Sequence, residues 1–352
     1  TTLSRIWGAE AVRDVAPVTV AGFRPAEGGF RSLYTAPAGQ LTAAMRGAVV
    51  EVEPEIDLVE EARMEAFTLG FDEGCRVTAE ANSADTDARA RLAEALTAAG
   101  FVVIAQDLPG HGRTGEMAGI HGHLADFDGW NFALKAVRAV RERAAQDHPG
   151  LPVFLFGHSM GSFLGQYELV ERGDDFAGAV LCATTADMGA LRPVGLGLMR
   201  GVSLLMGRRY HSWLGEQLSF KEFNKRFAPN RTEFDWLSRD TEEVDRYMAD
   251  GWCGFRCTTA LWSDLLAAGK ALGDRKRLQR VPKDLPICLI VGSEDPVPNG
   301  AEGPHLLAKK YRKAGVREVS VKVYEGARHE LLNETCREQV TGDLRDWLLN
   351  LL

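Results

Sequence analysis

The 352-residue sequence has no excess of positive charge, little cysteine and no long apolar run, and each shortage closes off a class of function. Lysine and arginine number 41 against 49 aspartates and glutamates, a formal net charge of −8. A nucleic-acid backbone is bound by clustered cations that displace counterions, so that partner is excluded. The basic run Arg275, Lys276, Arg277, Arg280 and Lys283 reads as a solvated helix end. Six cysteines (Cys75, Cys182, Cys253, Cys257, Cys288 and Cys336) are scattered through a chain too large to need stapling. They read as free thiols in a reducing, cytoplasmic setting. Cys253 and Cys257 alone have ligand-like spacing, and no second pair or neighbouring histidine completes a tetrahedral metal site. The first residues lack the charged-then-apolar pattern of a signal peptide. The most apolar helical stretch, "VGLGLMRGVSLLM" at 194–206, is broken by Arg200 and is shorter than the ~20 residues that a bilayer crossing needs.

What is present is a chain that is 45% hydrophobic, long enough for one large α/β domain with an insertion or appendage. From about residue 89, strand and helix alternate, which predicts a mostly parallel sheet flanked by helices on both faces. Buried strands are expected at "FVVIAQD" (101–107), "PVFLFG" (152–157), "GAVLCAT" (178–184), "ICLIVG" (287–292) and "VSVKVYEG" (319–326). Helices are expected near 89–99, 128–147, 160–172, 303–314 and 334–351. Between 185 and 283 the alternation stops in a mostly helical stretch rich in Trp, Phe, Leu and Met, which reads as a cap insertion over the sheet's C-terminal edge. Residues 1–88 differ in kind. Residues 1–45 are rich in Ala, Gly and Pro and read as an atypical leader rather than as sheet strands. The acid-rich stretch after them reads as a helix that carries Ala66, Gly70 and Gly74 at four-residue spacing. The boundary with the domain of residues 89–352 falls near 85–90.

Within "FLFGHSMGSF", Gly157-His158-Ser159-Met160-Gly161 is a G-x-S-x-G sequence between an expected strand and an expected helix. A serine on such a sharp turn is held in strained backbone geometry, and glycines two positions before and after it let strand and helix approach. Its hydroxyl then projects from the sheet edge, and the Met160 N–H at the helix start faces a developing oxyanion. A serine hydroxyl needs a base, and the base needs an orienting carboxylate. Asp295 follows one buried strand and His329 the next, in the order Ser, acid, His. Glu294 is the alternative acid, and His158 reads as support for the turn rather than as the base. His111, His121 and His123 read as turn and loop residues ahead of metal ligands.

From about Arg89 to the C-terminus the chain resembles the lysophospholipase and monoacylglycerol-lipase group of α/β-hydrolases, the serine aminopeptidase S33-like hydrolases. The resemblance rests on "LAEALTAAGFVVIAQDLPGHGRT", "VFLFGHSMGS", "FDWLSRD", "LPICLIVGSEDPV" and "YEGARHELLNE". It implies an α/β-hydrolase fold, with Ser159 as nucleophile, Asp295 as acid and His329 as base. It also implies a small lipid ester as substrate, no metal or organic cofactor, and a cap that receives the acyl chain and touches a membrane surface transiently. Members of the group carry a His-Gly loop before the helix that begins here near Arg89, and that loop gives the second oxyanion N–H. The corresponding place reads "CRVTAEANSADTDARARL", without His-Gly, so the second donor is unassigned. The segment "EEARMEAFTLGFDEG" is similar to the small-residue helix of flagellar and type III export stator proteins, which implies pairing of two copies through that helix.

Two functions from different classes follow. The first is a serine hydrolase cleaving monoacylglycerol-class or lysophospholipid-class esters through an acyl-enzyme. The second is a catalytically weak hydrolase body that carries an N-terminal helical interaction segment. Epoxide opening needs a carboxylate where Ser159 stands, and peptide cleavage stays open.

Overall fold

The computed structural model describes residues 19–26, 29–35, 49–52, 66–68 and 84–352, with side chains from residue 90 onward. Four parallel strands form its centre: β6 (Phe154–His158), β7 (Gly178–Cys182), β8 (Ile287–Gly292) and β9 (Val319–Tyr324), in that spatial order. Side chains alternate across a strand, and in β7 and β8 both sets are buried, whereas β6 and β9, expected to be buried too, keep Phe156 and Ser320 exposed because they lie at the two edges of this four-stranded sheet. Ala179, Leu181, Ile287 and Leu289 face one core with Leu169, Leu307 and Tyr311. Val180, Cys182, Cys288 and Ile290 face the other with Leu92, Leu96, Val340 and Leu344. This is why both stretches read as continuous apolar runs. Each fully buried Leu or Ile contributes about 1.5–3 kcal/mol.

The flanking helices supply those partners. In chain order α1 (Ala84–Ala98), α2 (Gly112–Met117), α3 (Gly129–Asp147) and α4 (Met160–Arg172) precede or follow the first two parallel strands. Helix α4 packs its buried Leu169 and Val170 on one face of the sheet, whereas Leu92 and Leu96 of α1 cover the other. The insertion between β7 and β8 carries α5 (Arg192–Met206), α6 (Trp213–Leu218), α7 (Phe220–Asn224), α8 (Thr241–Ala249), α9 (Thr259–Ala268) and α10 (Arg275–Leu278). A third cluster holds it to the body: Leu261 and Ala268 of α9 pack with Trp130 and Leu134 of α3 and with Phe163 and Tyr167 of α4. Helices α11 (Glu302–Lys313) and α12 (Arg337–Leu349) complete the two faces. Among the described residues no helix is long and apolar enough to cross a membrane.

The N-terminal region departs from the sequence reading. The expected strandless leader contains a hairpin: β1 (Thr19–Ala26) pairs antiparallel with β2 (Gly29–Thr35), which pairs with β3 (Val49–Val52). The signal was the connection Glu27-Gly28 between two β-prone runs. It was masked by Pro25, which a strand tolerates at a sheet edge, where β1 lies. Ala66, expected on a helix, begins β4 (Ala66–Thr68), which pairs antiparallel with β5 (Ile104–Gln106) and so crosses the boundary expected near 88. Gly70 and Gly74 lie outside the described residues, as does most of the acidic stretch. β5 is shorter than the expected 101–107, and Phe101 instead packs edge-on against Phe154, ring centroids 6.2 Å apart.

Candidate active site

Parallel strands that share a direction deliver their following loops to one edge, and the three residues singled out from sequence meet there. Ser159 lies between the end of β6 and the start of α4 with φ 50° and ψ −119°, a conformation costly for any residue with a Cβ. The turn is held by the Ser159 N–H, which donates to the Cys182 carbonyl at 3.0 Å, and by the Ser162 hydroxyl, which donates to the Ser159 carbonyl at 2.6 Å. A Cβ at Gly157 would stand 2.6 Å from the Gly161 carbonyl oxygen, so glycine is required there. The expectation that Gly161 is equally constrained is corrected: among the described residues a Cβ at Gly161 meets nothing within 4 Å.

The His329 ring bridges the other two groups. Its Nε2 lies 3.0 Å from the Ser159 hydroxyl, and its Nδ1 lies 2.9 and 3.0 Å from the Asp295 carboxylate oxygens. A carboxylate only accepts, so it fixes the proton on Nδ1 and leaves Nε2 to accept from the serine hydroxyl. Asp295 is fully buried and its carboxylate also accepts the Val297 N–H at 3.0 Å, whereas the alternative acid Glu294 is exposed. Burial works to lower the His329 pKa, but attraction to Asp295 and the hydrogen bond to it outweigh burial, and the net direction is upward. His158 is held well below the usual histidine range by burial and then by the neighbouring His329. Its Nδ1 faces Cys182 Sγ at 3.2 Å and its ring lies 4.8 Å from that of His329, so it is a neutral packing partner of the imidazole.

The Met160 N–H, at the first position of α4, makes no hydrogen bond among the described residues, as is usual in the first turn of a helix. The second donor, left unassigned from sequence, stays so: of the stretch 75–92, where the group carries its His-Gly loop, residues 75–83 lie outside the described residues.

Sequence reasoning missed the group that holds His329 in place. The His329 N–H donates to the Trp236 carbonyl at 3.4 Å, the Glu330 N–H donates to the Leu237 carbonyl at 2.8 Å, and the Trp236 ring lies 5.0 Å from the imidazole. Arg328 donates to the Asp235 and Ser238 carbonyls. Glu334, with no exposed surface, accepts from the backbone N–H groups of Arg239 (3.0 Å), Arg328 (2.9 Å) and Thr335 (2.9 Å) and from Arg239 Nε (2.9 Å). The loop bearing His329 is thus stitched to residues 235–239 of the insertion around one buried carboxylate. Removing it leaves those donors and the Arg239 charge uncompensated, so Glu334→Ala is expected to lower stability by about 3–5 kcal/mol in urea denaturation. A loss below about 1 kcal/mol would mean that solvent replaces the carboxylate.

The remaining candidates are engaged elsewhere. His111 and His121 pack against Phe255 with ring centroids 5.5 and 5.3 Å apart, and His123 faces the Thr258 hydroxyl at 3.1 Å. Together they tie the loop before α3 to the insertion. Cys253 Sγ faces Asp250 at 3.5 Å, and burial pushes the Cys257 thiol up to about 12, away from the thiolate that a metal would need. Among the described residues no three His, Cys, Asp or Glu side chains converge on a point where a metal ion would sit.

Comparison with known proteins follows the same lines. Residues 85–336 match the family described as serine aminopeptidase, S33. The chain is 26% identical over 263 residues to a monoacylglycerol lipase of Mycolicibacterium smegmatis, covering 74% of this chain and 82% of that one. It is 28% identical over 249 residues to the human monoglyceride lipase, covering 69% and 71%. A carboxyl esterase from Bacillus coagulans shares the fold with a TM-score of 0.69 over 74% of this chain and 84% of its own, at 24% identity.

Proposed function

We propose, from the premise that this chain belongs to the serine aminopeptidase S33 family of α/β-hydrolases, that it hydrolyses carboxylic esters of lipids, of the monoacylglycerol or lysophospholipid class. The observation that carries the reading is the continuous hydrogen-bonded chain from Ser159 Oγ through His329 to Asp295, each link near 3.0 Å.

The chemistry follows from these groups. As Ser159 Oγ attacks the ester carbonyl, its proton passes to His329 Nε2, and Asp295 stabilises the imidazolium. The oxyanion meets the Met160 N–H at the start of α4. Collapse of the tetrahedral species breaks the ester C–O bond, and His329 returns the proton to the departing alcohol. The acyl-serine that remains is attacked by water, which gives its proton to the same nitrogen, and collapse releases the fatty acid and restores the serine. The relatives named monoacylglycerol lipase and monoglyceride lipase support a glyceride or a related single-chain lipid as substrate. Residues 89–352 form the hydrolase unit, with 185–283 as a cap that receives the acyl chain and meets the lipid surface. In support, α5 exposes Val194, Leu204 and Leu205.

Reaction with a fluorophosphonate tests the assignment. One adduct per chain is expected on intact-mass measurement, located at Ser159 and lost in Ser159→Ala. A folded wild-type protein that fails to react, or that reacts at another residue, would sink it.

A further inference from the structure

The imidazole of His329 is tethered through its two nitrogens, Nδ1 to Asp295 and Nε2 to Ser159. A ring nitrogen donates or accepts in the plane of its ring, so these tethers fix where the imidazole sits but not its tilt about the line joining them. The last torsion of a histidine side chain has a broad energy well, and the tilt is left to packing. The tether to Ser159 is also lost once the hydroxyl proton has moved, when Nε2 must turn that proton to the leaving alcohol.

Two rings pack beside this imidazole. His158 lies 4.8 Å away, and it is held neutral by burial and by His329 itself, so it offers nothing to a charge there. Trp236, from the insertion, lies 5.0 Å away with its plane 36° from that of the imidazole, nearer to stacked than to edge-on. An indole face at this range attracts a cation, most strongly where water is excluded, and His329 is buried. The indole N–H of Trp236 has no acceptor among the described residues, although the side chain is buried. Phenylalanine would fill most of the same space without leaving a buried donor unpaired, so packing alone does not call for tryptophan here.

Trp236 is itself gripped by one element, α7. Phe220 stacks on its ring with centroids 5.5 Å apart and planes 10° apart, and Phe223 packs at 5.5 Å. Asn224 Oδ1 accepts the Trp236 N–H at 2.9 Å, while Asn224 Nδ2 donates to the Thr232 carbonyl at 2.8 Å. We propose that the Trp236 indole is a positioning residue of the base, that it sets the tilt of the His329 ring and favours the imidazolium formed as Ser159 loses its proton, and that Phe220 acts on the reaction through it. The inference rests on the reading of Ser159, His329 and Asp295 as the reacting groups. The Trp236 carbonyl, which accepts the His329 N–H, is a separate contact that a side-chain substitution leaves in place.

The test is steady-state kinetics on a soluble medium-chain ester, together with the rate at which a fluorophosphonate modifies Ser159. Trp236→Leu is expected to lower kcat about 30-fold with KM unchanged, and to slow the modification to a similar extent. Trp236→Phe keeps an aromatic face and should stay within about three-fold of the wild type. The acid limb of kcat/KM should move to lower pH in Trp236→Leu. Asp295 and Glu330 still raise the His329 pKa, but one group favouring the charged ring is gone, and neutral His158 does not replace it. Phe220→Leu should cost about three-fold alone and add nothing to Trp236→Leu, since it acts through the same ring. Should Trp236→Leu not fold, Phe220→Leu, at a half-buried position, must show the same loss in kcat at constant KM. A rise in KM with kcat unchanged, equal rates in the two Trp236 variants, or an acid limb that stays in place overturns the proposal. Equal modification of wild type and Trp236→Leu sinks this inference alone, whereas a wild-type Ser159 that does not react takes it down with the reading beneath it.

Discussion

In His329→Ala, kcat/KM for a soluble medium-chain ester is expected to fall by roughly 10⁵–10⁶-fold. The reason is geometric. Ser159 Oγ has His329 Nε2 at 3.0 Å, and His158, the other imidazole beside it, is held neutral by burial and is turned to Cys182. With His329 gone nothing in reach accepts the serine proton during attack or returns one to the leaving alcohol, so both halves of the reaction suffer. Such a loss corresponds to about 7–8 kcal/mol of transition-state stabilisation. The residue left would come from the Met160 N–H and from substrate positioning. Measurement of initial rates on a folded variant checks it, and a loss of less than about 10²-fold would show that another group acts as the base.

Asp295→Asn is expected to cost about 10⁴-fold while leaving the fold in place. The carboxamide offers an N–H where a carboxylate oxygen stood, which pushes the imidazole proton from Nδ1 to Nε2, the nitrogen that must be bare. A second consequence is read from pH. In the wild type the base works only when neutral, so kcat/KM should rise with pH through a midpoint above 6.5, since Asp295 raises the His329 pKa against the opposing effect of burial. Without the carboxylate burial is opposed only by the weaker attraction of Glu330, and the acid limb of the residual activity should move to lower pH. A midpoint unchanged by Asp295→Asn would mean that the limb reports some other group.

The site was readable from sequence because its members sit directly after buried strands. Ser159, Asp295 and His329 follow β6, β8 and β9, whose apolar runs mark them plainly, and parallel strands bring their C-terminal ends together whatever the separation along the chain. Glu334 and Arg239 had no such marker. They lie 95 residues apart in sequence, Glu334 in a polar stretch like any surface turn, and only the folded chain shows that carboxylate without exposed surface. "FDWLSRD" stood out as a matching stretch, yet its role is carried partly by the backbone carbonyls of Trp236 and Leu237, which no side-chain pattern reveals. Gly161 misled for a related reason: a motif glycine is visible in sequence, while the space around it is not. In the N-terminal hairpin, Gly22 and Pro25 interrupt the alternation that would have announced β1.

The insertion is tied down unevenly, and that has an evolutionary consequence. Its 235–243 side is bound to the body by Glu334 and Arg239, by Ser238 Oγ on the Asn333 carbonyl at 2.8 Å, and by Arg337 on Asp240 at 2.7 Å. Arg91 reaches buried Glu243 at 3.2 Å from α1. On the α5 side, Val194 and Leu204 look outward instead. Substitutions in 235–243 are therefore answerable to partners in α1 and in residues 328–337, and in any lineage the two stretches must change together or not at all. Leu204 and its neighbours carry no comparable debt, so divergence in the lipids that descendants of this protein recognise can accumulate along α5 while the proton-handling residues stay fixed.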